Sequence, residues 1–420
     1  MAGLDRRRFL KGGAIAGLGP LAACRATFDR RLAAVSLGRS PEQLRDLYTI
    51  DADVAYLNHG SIGTIPRIVQ EARTRYLETC ERNPWLYMWG GAWDDAREQV
   101  RAAAARVLGA GPADVAITHN TTEGCNVLAR GLPLKQGDEV LFSTLNHPGA
   151  SICWRHAAES SGYRVRQFEF PVADVASLSV ADVVQLHVEA ITDDTRVLVV
   201  PHIDNMVGLR HPLRELARAA KARGVRWVVV DAAQTLGMIP VNFAEAGVDA
   251  LCASPHKWLQ APKGLGLFCA TPELREVLRP FWVTWGQQRW AGTARVFEDY
   301  GTRNLPELLS LEDAIAFRET LGIAASADRL RDMHEGIRAR VDASELLEWR
   351  SPRDWRLGGS LFALHVRGSA APPLGVRLWQ QHQVVVRAFG GELDTLRISP
   401  NVHTTPAEID RLFAAVEAPA

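Results

Sequence analysis

"VVVDAAQTLG", residues 228–237, is the stretch that decides the fold. Three successive valines suit a strand covered on both faces, as in a parallel sheet, better than a half-wet strand with alternating residues. The run ends on Asp231, with Gln234 three residues further. A carboxylate closing an apolar strand is costly to bury unless it meets a cation or a strong donor. Behind a second apolar run, "VDALCAS" (248–254), comes "SPHKWLQAPKG" (254–264), where Lys257 sits between His256 and Trp258. Those surroundings are too apolar for an ordinary surface lysine. Singly, each residue is weak: a strand-end aspartate is more often a helix cap or an ion-pair partner.

Outward from this stretch the same rhythm repeats. "VAIT" (115–118), "EVLFST" (139–144), "YRVRQFEF" (163–170), "RVLVVPHI" (196–203) and "RWVVVDAA" (226–233) read as strands. Amphipathic segments such as "LRELARAAKARG" (213–224) lie between them and end in glycine. The alternation predicts an α/β fold, a mainly parallel sheet covered by helices on both faces, with ligands at the carboxyl ends of its strands. Beyond about residue 300, Leu308–Gly322 and Ser326–Leu347 read as helices, Ser326 as the N-cap of the second, and "TLRISP" (395–400) as a late strand. The expected division is a large domain over 51–295 and a smaller α+β domain over 296–420.

The chain has 420 residues and formal net charge zero, so electrostatics favours neither nucleic acid nor an anionic membrane as partner. Basic residues cluster only in "DRRRFLKGGAIAGLGPLAAC" (5–24). Arg6 and Arg7 ahead of Phe9-Leu10-Lys11 read as a twin-arginine export signal over 1–23, followed by a segment over 24–50. Gly12–Ala23 is too short for a spanning helix. "LAAC" ending at Cys24 reads either as a lipoprotein processing box or as part of a stretch cut at a nearby small residue. The expected location is the periplasm, free or lipid-anchored at Cys24, reached through the twin-arginine translocase. The six cysteines show no close-paired spacing, so no metal site is expected. Pairing of Cys252 with Cys269 stays open at this level.

"ITHNTTEGCNVLARGL" (117–132) passes from strand to helix through Asn120, Thr121 and Thr122, which make either a plain cap or an anion site for a phosphate. "APKGLG" (261–266) lacks the leading glycine and Lys-Ser/Thr ending of a nucleotide loop. Pyridoxal phosphate uses all of these parts: a lysine amine, an acid at the ring nitrogen, a phosphate cup and a group on the ring face. Lys257, Asp231, the 120–122 turn and His147 of "LNHPGAS" (145–151) supply them, although His147 also reads as a turn histidine before Pro148.

"VDAAQTLG…ASPHKWLQAPKGLG" resembles the class V aminotransferase signature of the fold-type I pyridoxal-phosphate enzymes, over about residues 50–415. "YLNHGSIGTIPR" (56–67), "ERNPWLYMW" (81–89) and "YGTRNLPELLSLEDAIAF" (300–317) are most similar to the isopenicillin N epimerase-like branch. The resemblance implies pyridoxal 5′-phosphate held as an imine on Lys257, Asp231 at the ring nitrogen, Gln234 and Asn205 on the phenolic oxygen, and His147 stacked over the ring. It implies a phosphate site of Thr121, Thr122, Ser254 and His256, completed by Thr302 from the second subunit of a homodimer. Arg397 would hold a substrate α-carboxylate, and Asn58 and His59 are expected to contact substrate as well, although His59 reads equally as a brace for its loop. Asp204 stands where a small residue commonly precedes the family asparagine. No cysteine follows Cys269, which disfavours desulfuration. The expected function is aminotransferase-type chemistry on an amino acid or a derived metabolite; epimerisation or racemisation comes next, then elimination. The non-enzymatic reading is a receptor or scavenger that binds the cofactor without turnover.

Overall fold

A computed structural model describes residues 6–36, 38–89, 91–284, 286–298 and 301–418. Its large sheet contains Val115–Thr118 (β1), Glu139–Ser143 (β2), Arg164–Phe168 (β3), Thr195–Pro201 (β4), Trp227–Asp231 (β5), Ala250–Ala253 (β6) and Gly266–Ala270 (β7). The strand order is β1-β7-β6-β5-β4-β2-β3, parallel except that β7 runs against both of its neighbours. The valine run behaves as its composition dictates: Val228 and Val230 enter the core on one face, and Trp227 and Val229 enter the core on the other. Five expected strands are present, each within a few residues of its expected ends.

The antiparallel return of β7 also settles the cysteines. Cys252 lies opposite Phe268, and Cys269 opposite Leu251. Directly opposed residues share a face, so Cys252 and Cys269 point to opposite sides of the sheet. Both are free thiols.

Leu347–Trp349 (β8), Phe362–Val366 (β9), Arg387–Phe389 (β10) and Thr395–Ile398 (β11) form an antiparallel sheet in the order β10-β11-β9-β8. The boundary expected near 295 is too early. Helix Leu305–Leu321 packs into the large core through Leu308, Leu311, Ile315 and Phe317, whereas the small-domain core starts with Ile337 and Val341 and takes in Ala55 and Leu57. Ser326 is not an N-cap: the next helix is Ile323–Asp342, Gly322 precedes it, and the Ser326 N–H already bonds the Gly322 carbonyl. That helix therefore starts earlier than expected, and it ends before β8.

Helix Arg6–Leu32 passes through Pro20 and Cys24 and seats Leu21 and Phe28 in the large core. The side chains of Arg6 to Lys11 lie outside the described ones. Among the described residues, no helix is long and apolar enough to cross a membrane.

Several histidines are buried and held neutral. Burial pushes His59 and His202 down to about 3, and His187 and His334 down to about 4. An unfolded histidine takes a proton below about pH 6.5, so between that value and the folded ones the unfolded chain binds more protons. Their contribution to stability is complete above about pH 6.5 and is lost as pH falls. Urea unfolding at about pH 7 and about pH 5 should show a drop of ~2 kcal/mol or more; equal stabilities would refute this reading.

Candidate active site

The site forms where β1, β2, β4, β5 and β6 end. Asp231 terminates β5 and is buried, and its Oδ1 accepts the Ala233 N–H at 2.9 Å. Burial raises its pKa; that bond, Lys257 and His147 act in the opposite direction. Lys257 follows β6 in a tight loop. Its pKa falls to about 8, chiefly through burial and further through Arg397, against the pull of Asp231. Gly63 allows a neighbouring segment to press on this loop: its N–H donates to the His256 carbonyl at 2.9 Å, and a Cβ there would collide with the carbonyls of His256 and Lys257.

Two cavities share Lys257, His147, Asn205, Gln234 and Ser61. The inner one, about 270 Å³, reaches Asp231, Ser254, His256 and the Asn120–Thr122 turn. Asn120 caps helix Thr121–Gly131 by accepting the Glu123 N–H at 2.8 Å. The Thr121 N–H donates to Ser254 Oγ at 3.0 Å, and the two hydroxyls lie 2.8 Å apart. His256 Nδ1 is buried without a partner. A helix start, clustered hydroxyls and an orphaned ring nitrogen make a cradle for an anion. Asp231, buried and outside every ion pair among the described residues, calls for a proton donor in the same cavity. His147 caps helix Pro148–Ser161, its Nδ1 accepting the Gly149 N–H at 3.0 Å, and its ring lies open to both cavities.

Gln234 is already engaged, donating from Nε2 to the Gly60 carbonyl at 2.8 Å and accepting from Trp258 Nε1 at 2.8 Å. One amide hydrogen remains for the cavity. The departure at Asp204 has a structural use. Its buried carboxylate accepts the N–H groups of Met206, Val207 and Leu209, and so shapes the loop that presents Asn205.

The outer cavity, about 680 Å³, is closed by Arg397 from β11. The Arg397 guanidinium donates to the Asn205 carbonyl at 2.9 Å, Asn58 Oδ1 at 2.8 Å and Ser61 Oγ at 2.5 Å. Asn58 thus braces the arginine. His59 does not reach the cavity: it is wholly buried, its Nδ1 lies 3.1 Å from the Ser399 carbonyl, and its ring packs edge-on against Tyr56 and His403. The expected substrate contact is therefore corrected to the second reading, a brace for its loop, because packing rather than polarity sets its direction. Thr302 is exposed and lines neither cavity of its own chain. Sequence reasoning missed Ser61, although it lies in the quoted stretch 56–67, and it missed Arg155, Arg387 and Phe389, which lie in no quoted motif and meet in the outer cavity.

Residues 55–412 match the family described as aminotransferase class-V. The chain belongs to that family. It is 29% identical to the isopenicillin N epimerase of Streptomyces clavuligerus, covering 90% of this chain and 98% of that protein. It is 30% identical to the isopenicillin N epimerase of Amycolatopsis lactamdurans, covering 89% and 97%. The apo cysteine desulfurase of Thermococcus onnurineus NA1 has the same fold, with a TM-score of 0.78 at 22% identity over 91% of this chain and 98% of that one. The fold is therefore that of the fold-type I enzymes. This class-V aminotransferase-family enzyme uses pyridoxal 5′-phosphate, and the inner cavity fits it. Lys257 would hold its aldehyde, Asp231 its ring nitrogen, and Thr121, Thr122, Ser254 and His256 its phosphate. When bound, the cofactor supplies an electron sink for bonds at a substrate's α-carbon.

Proposed function

We propose that this enzyme inverts an amino acid or a derived metabolite at its α-carbon, acting as an epimerase or racemase. The observation that carries the reading is near-full-length likeness to two isopenicillin N epimerases. Aminotransferase-type chemistry, the first expectation from sequence, becomes the second reading. Desulfuration has less support, because no cysteine lines either cavity among the described residues.

The chain's own groups suit proton transfer. Arg397 offers a fork of donors to an α-carboxylate. Lys257, with its amine near pKa 8, accepts a proton more readily at neutral pH than a solvated lysine. In inversion the Cα–H bond breaks, the proton passes to the protein, and a proton returns on the opposite face. Only configuration changes.

Incubating the holoenzyme with single enantiomers in deuterated water tests this. Inversion with deuterium at Cα and no keto acid is the expected result. Keto acid formed in proportion to amine transferred would establish an aminotransferase, and sulfide released from cysteine a desulfurase.

We also propose a homodimer in which Thr302 serves the neighbouring subunit's phosphate site; its exposure away from its own cavities supports this. Export by the twin-arginine route is proposed on the Arg6-Arg7 motif. Arg6→Lys with Arg7→Lys should retain the enzyme in the cytoplasm, and unchanged fractionation would refute export.

A further inference from the structure

A side-chain amide can usually turn over, because its oxygen and nitrogen have nearly the same shape. Gln234 cannot. On one side it meets Trp258 Nε1, which only donates, and on the other the Gly60 carbonyl, which only accepts, both at 2.8 Å. Turned over, it would set donor against donor and acceptor against acceptor, and both pairs would go unsatisfied in a buried place. Nε2 therefore keeps its second hydrogen for the cavities that Gln234 lines.

The indole has no freedom either. Trp258 is wholly buried in the large core. The turn that follows Gln234 lies on its backbone: Gly237, at φ 93°, comes so close that a Cβ would strike the Trp258 carbonyl carbon and the Leu259 nitrogen. The Gly237 carbonyl in turn accepts Arg318 Nη2 at 2.6 Å, from a buried side chain of helix Leu305–Leu321. Two residues beyond Trp258, Gln260 holds φ 63°, a conformation costly for a residue other than glycine, while its Oε1 accepts the Tyr48 hydroxyl at 2.8 Å. The loop is clamped from both sides, and the indole gives its one hydrogen to Gln234.

Trp258 lines neither cavity, yet it is the chain neighbour of Lys257. We propose that Trp258 is a positioning residue: its indole N–H locks the Gln234 amide with an N–H facing the cofactor's phenolic oxygen, and so makes the imine on Lys257 easier to deprotonate. The physical reason is competition. The adjacent phenolate oxygen holds the imine's proton, and a second donor on that oxygen draws off electron density and weakens the hold. On release the proton passes to water and its electron pair stays on the imine nitrogen. The inference applies to any reaction at an α-carbon and does not depend on inversion.

The holoenzyme's visible absorption band changes as the imine loses its proton, so a pH titration of the band reads the effect without turnover. Trp258→Phe keeps a ring in the core and removes the N–H, and the midpoint should rise by about half a pH unit or more. Gln234→Ala should raise it at least as far, and adding Trp258→Phe to Gln234→Ala should move it no further. An unmoved or lowered midpoint in Trp258→Phe overturns the proposal, whatever happens to Tm. Equal shifts with and without Gln234 overturn it too, because Trp258 would then act through packing of the lysine loop. Should Trp258→Phe fail to fold, the wild type decides. In holoenzyme carrying isotope-labelled tryptophan, one indole N–H resonance should titrate with the band's midpoint and lose that dependence in Gln234→Ala. Absence of such a resonance overturns the proposal.

Discussion

Changing Lys257 to alanine lowers turnover by ~10³-fold or more, since general-base residues alone account for ~10²–10⁴ and this one also anchors the cofactor. The variant keeps its fold. Lys257 makes no ion pair among the described residues, and burial, aided by Arg397, drives its pKa down, so the amine is a cost to the folded state that alanine removes. Two measurements check this. Borohydride treatment of the wild-type holoenzyme should add the cofactor's mass to the peptide containing residue 257, and the variant's peptide should stay unmodified. Thermal unfolding of the cofactor-free forms should be no lower in the variant. A marked loss of Tm, with residual turnover near wild type, would make Lys257 a structural residue.

The largest effect on stability is expected at Glu298. Its carboxylate is buried, accepts two bonds from Arg101 at 2.6 and 2.7 Å and one from Arg97 at 2.9 Å, and takes the Ile117 N–H at 2.5 Å. Burial alone would raise its pKa, yet Arg101 and Arg97 bring it down to about 2. Glu298→Gln removes the buried carboxylate from this network and leaves Arg101 to the half-exposed Glu98, a loss of ~3 kcal/mol or more, equivalent to roughly 4 °C or more in Tm. Because the folded pKa is depressed, this stabilisation is complete above the unfolded carboxylate value of about 4.3 and fades as pH falls through about 2. The strut ties the segment before Thr302 to β1, the strand that leads into the Asn120–Thr122 turn. A variant that melts with the wild type would show that the network contributes nothing net.

Much of this was legible in the sequence because it is local. A strand buried on both faces must be apolar throughout, so Val228–Val230 announced β5 and placed Asp231 at its end. Lys257 stood out for the same reason, a charge among apolar neighbours. What stayed hidden depends on partners far along the chain. His59 looked available until the fold set it against Ser399 and His403. Ser326 has the chemistry of a cap, but packing starts its helix at Ile323. Arg155 and Arg387 come from different domains, and no spacing rule relates them. Asp204 read as a departure from family pattern because its three backbone partners are fixed by a turn that only the folded loop reveals.

The walls of the outer cavity belong to different domains, Arg397 and Arg387 to the small sheet and Arg155 to a helix of the large one. The seam between them is tight at Gly208, whose φ of 72° suits glycine and whose missing Cβ would strike the Leu361 carbonyl. A side chain there must push Leu361, which leads into β9, away from the loop that carries Asn205. The molecule therefore carries a shim: bulk at 208 would shift the small-sheet wall of the outer cavity and alter what fits there, although Gly208 itself lines neither cavity.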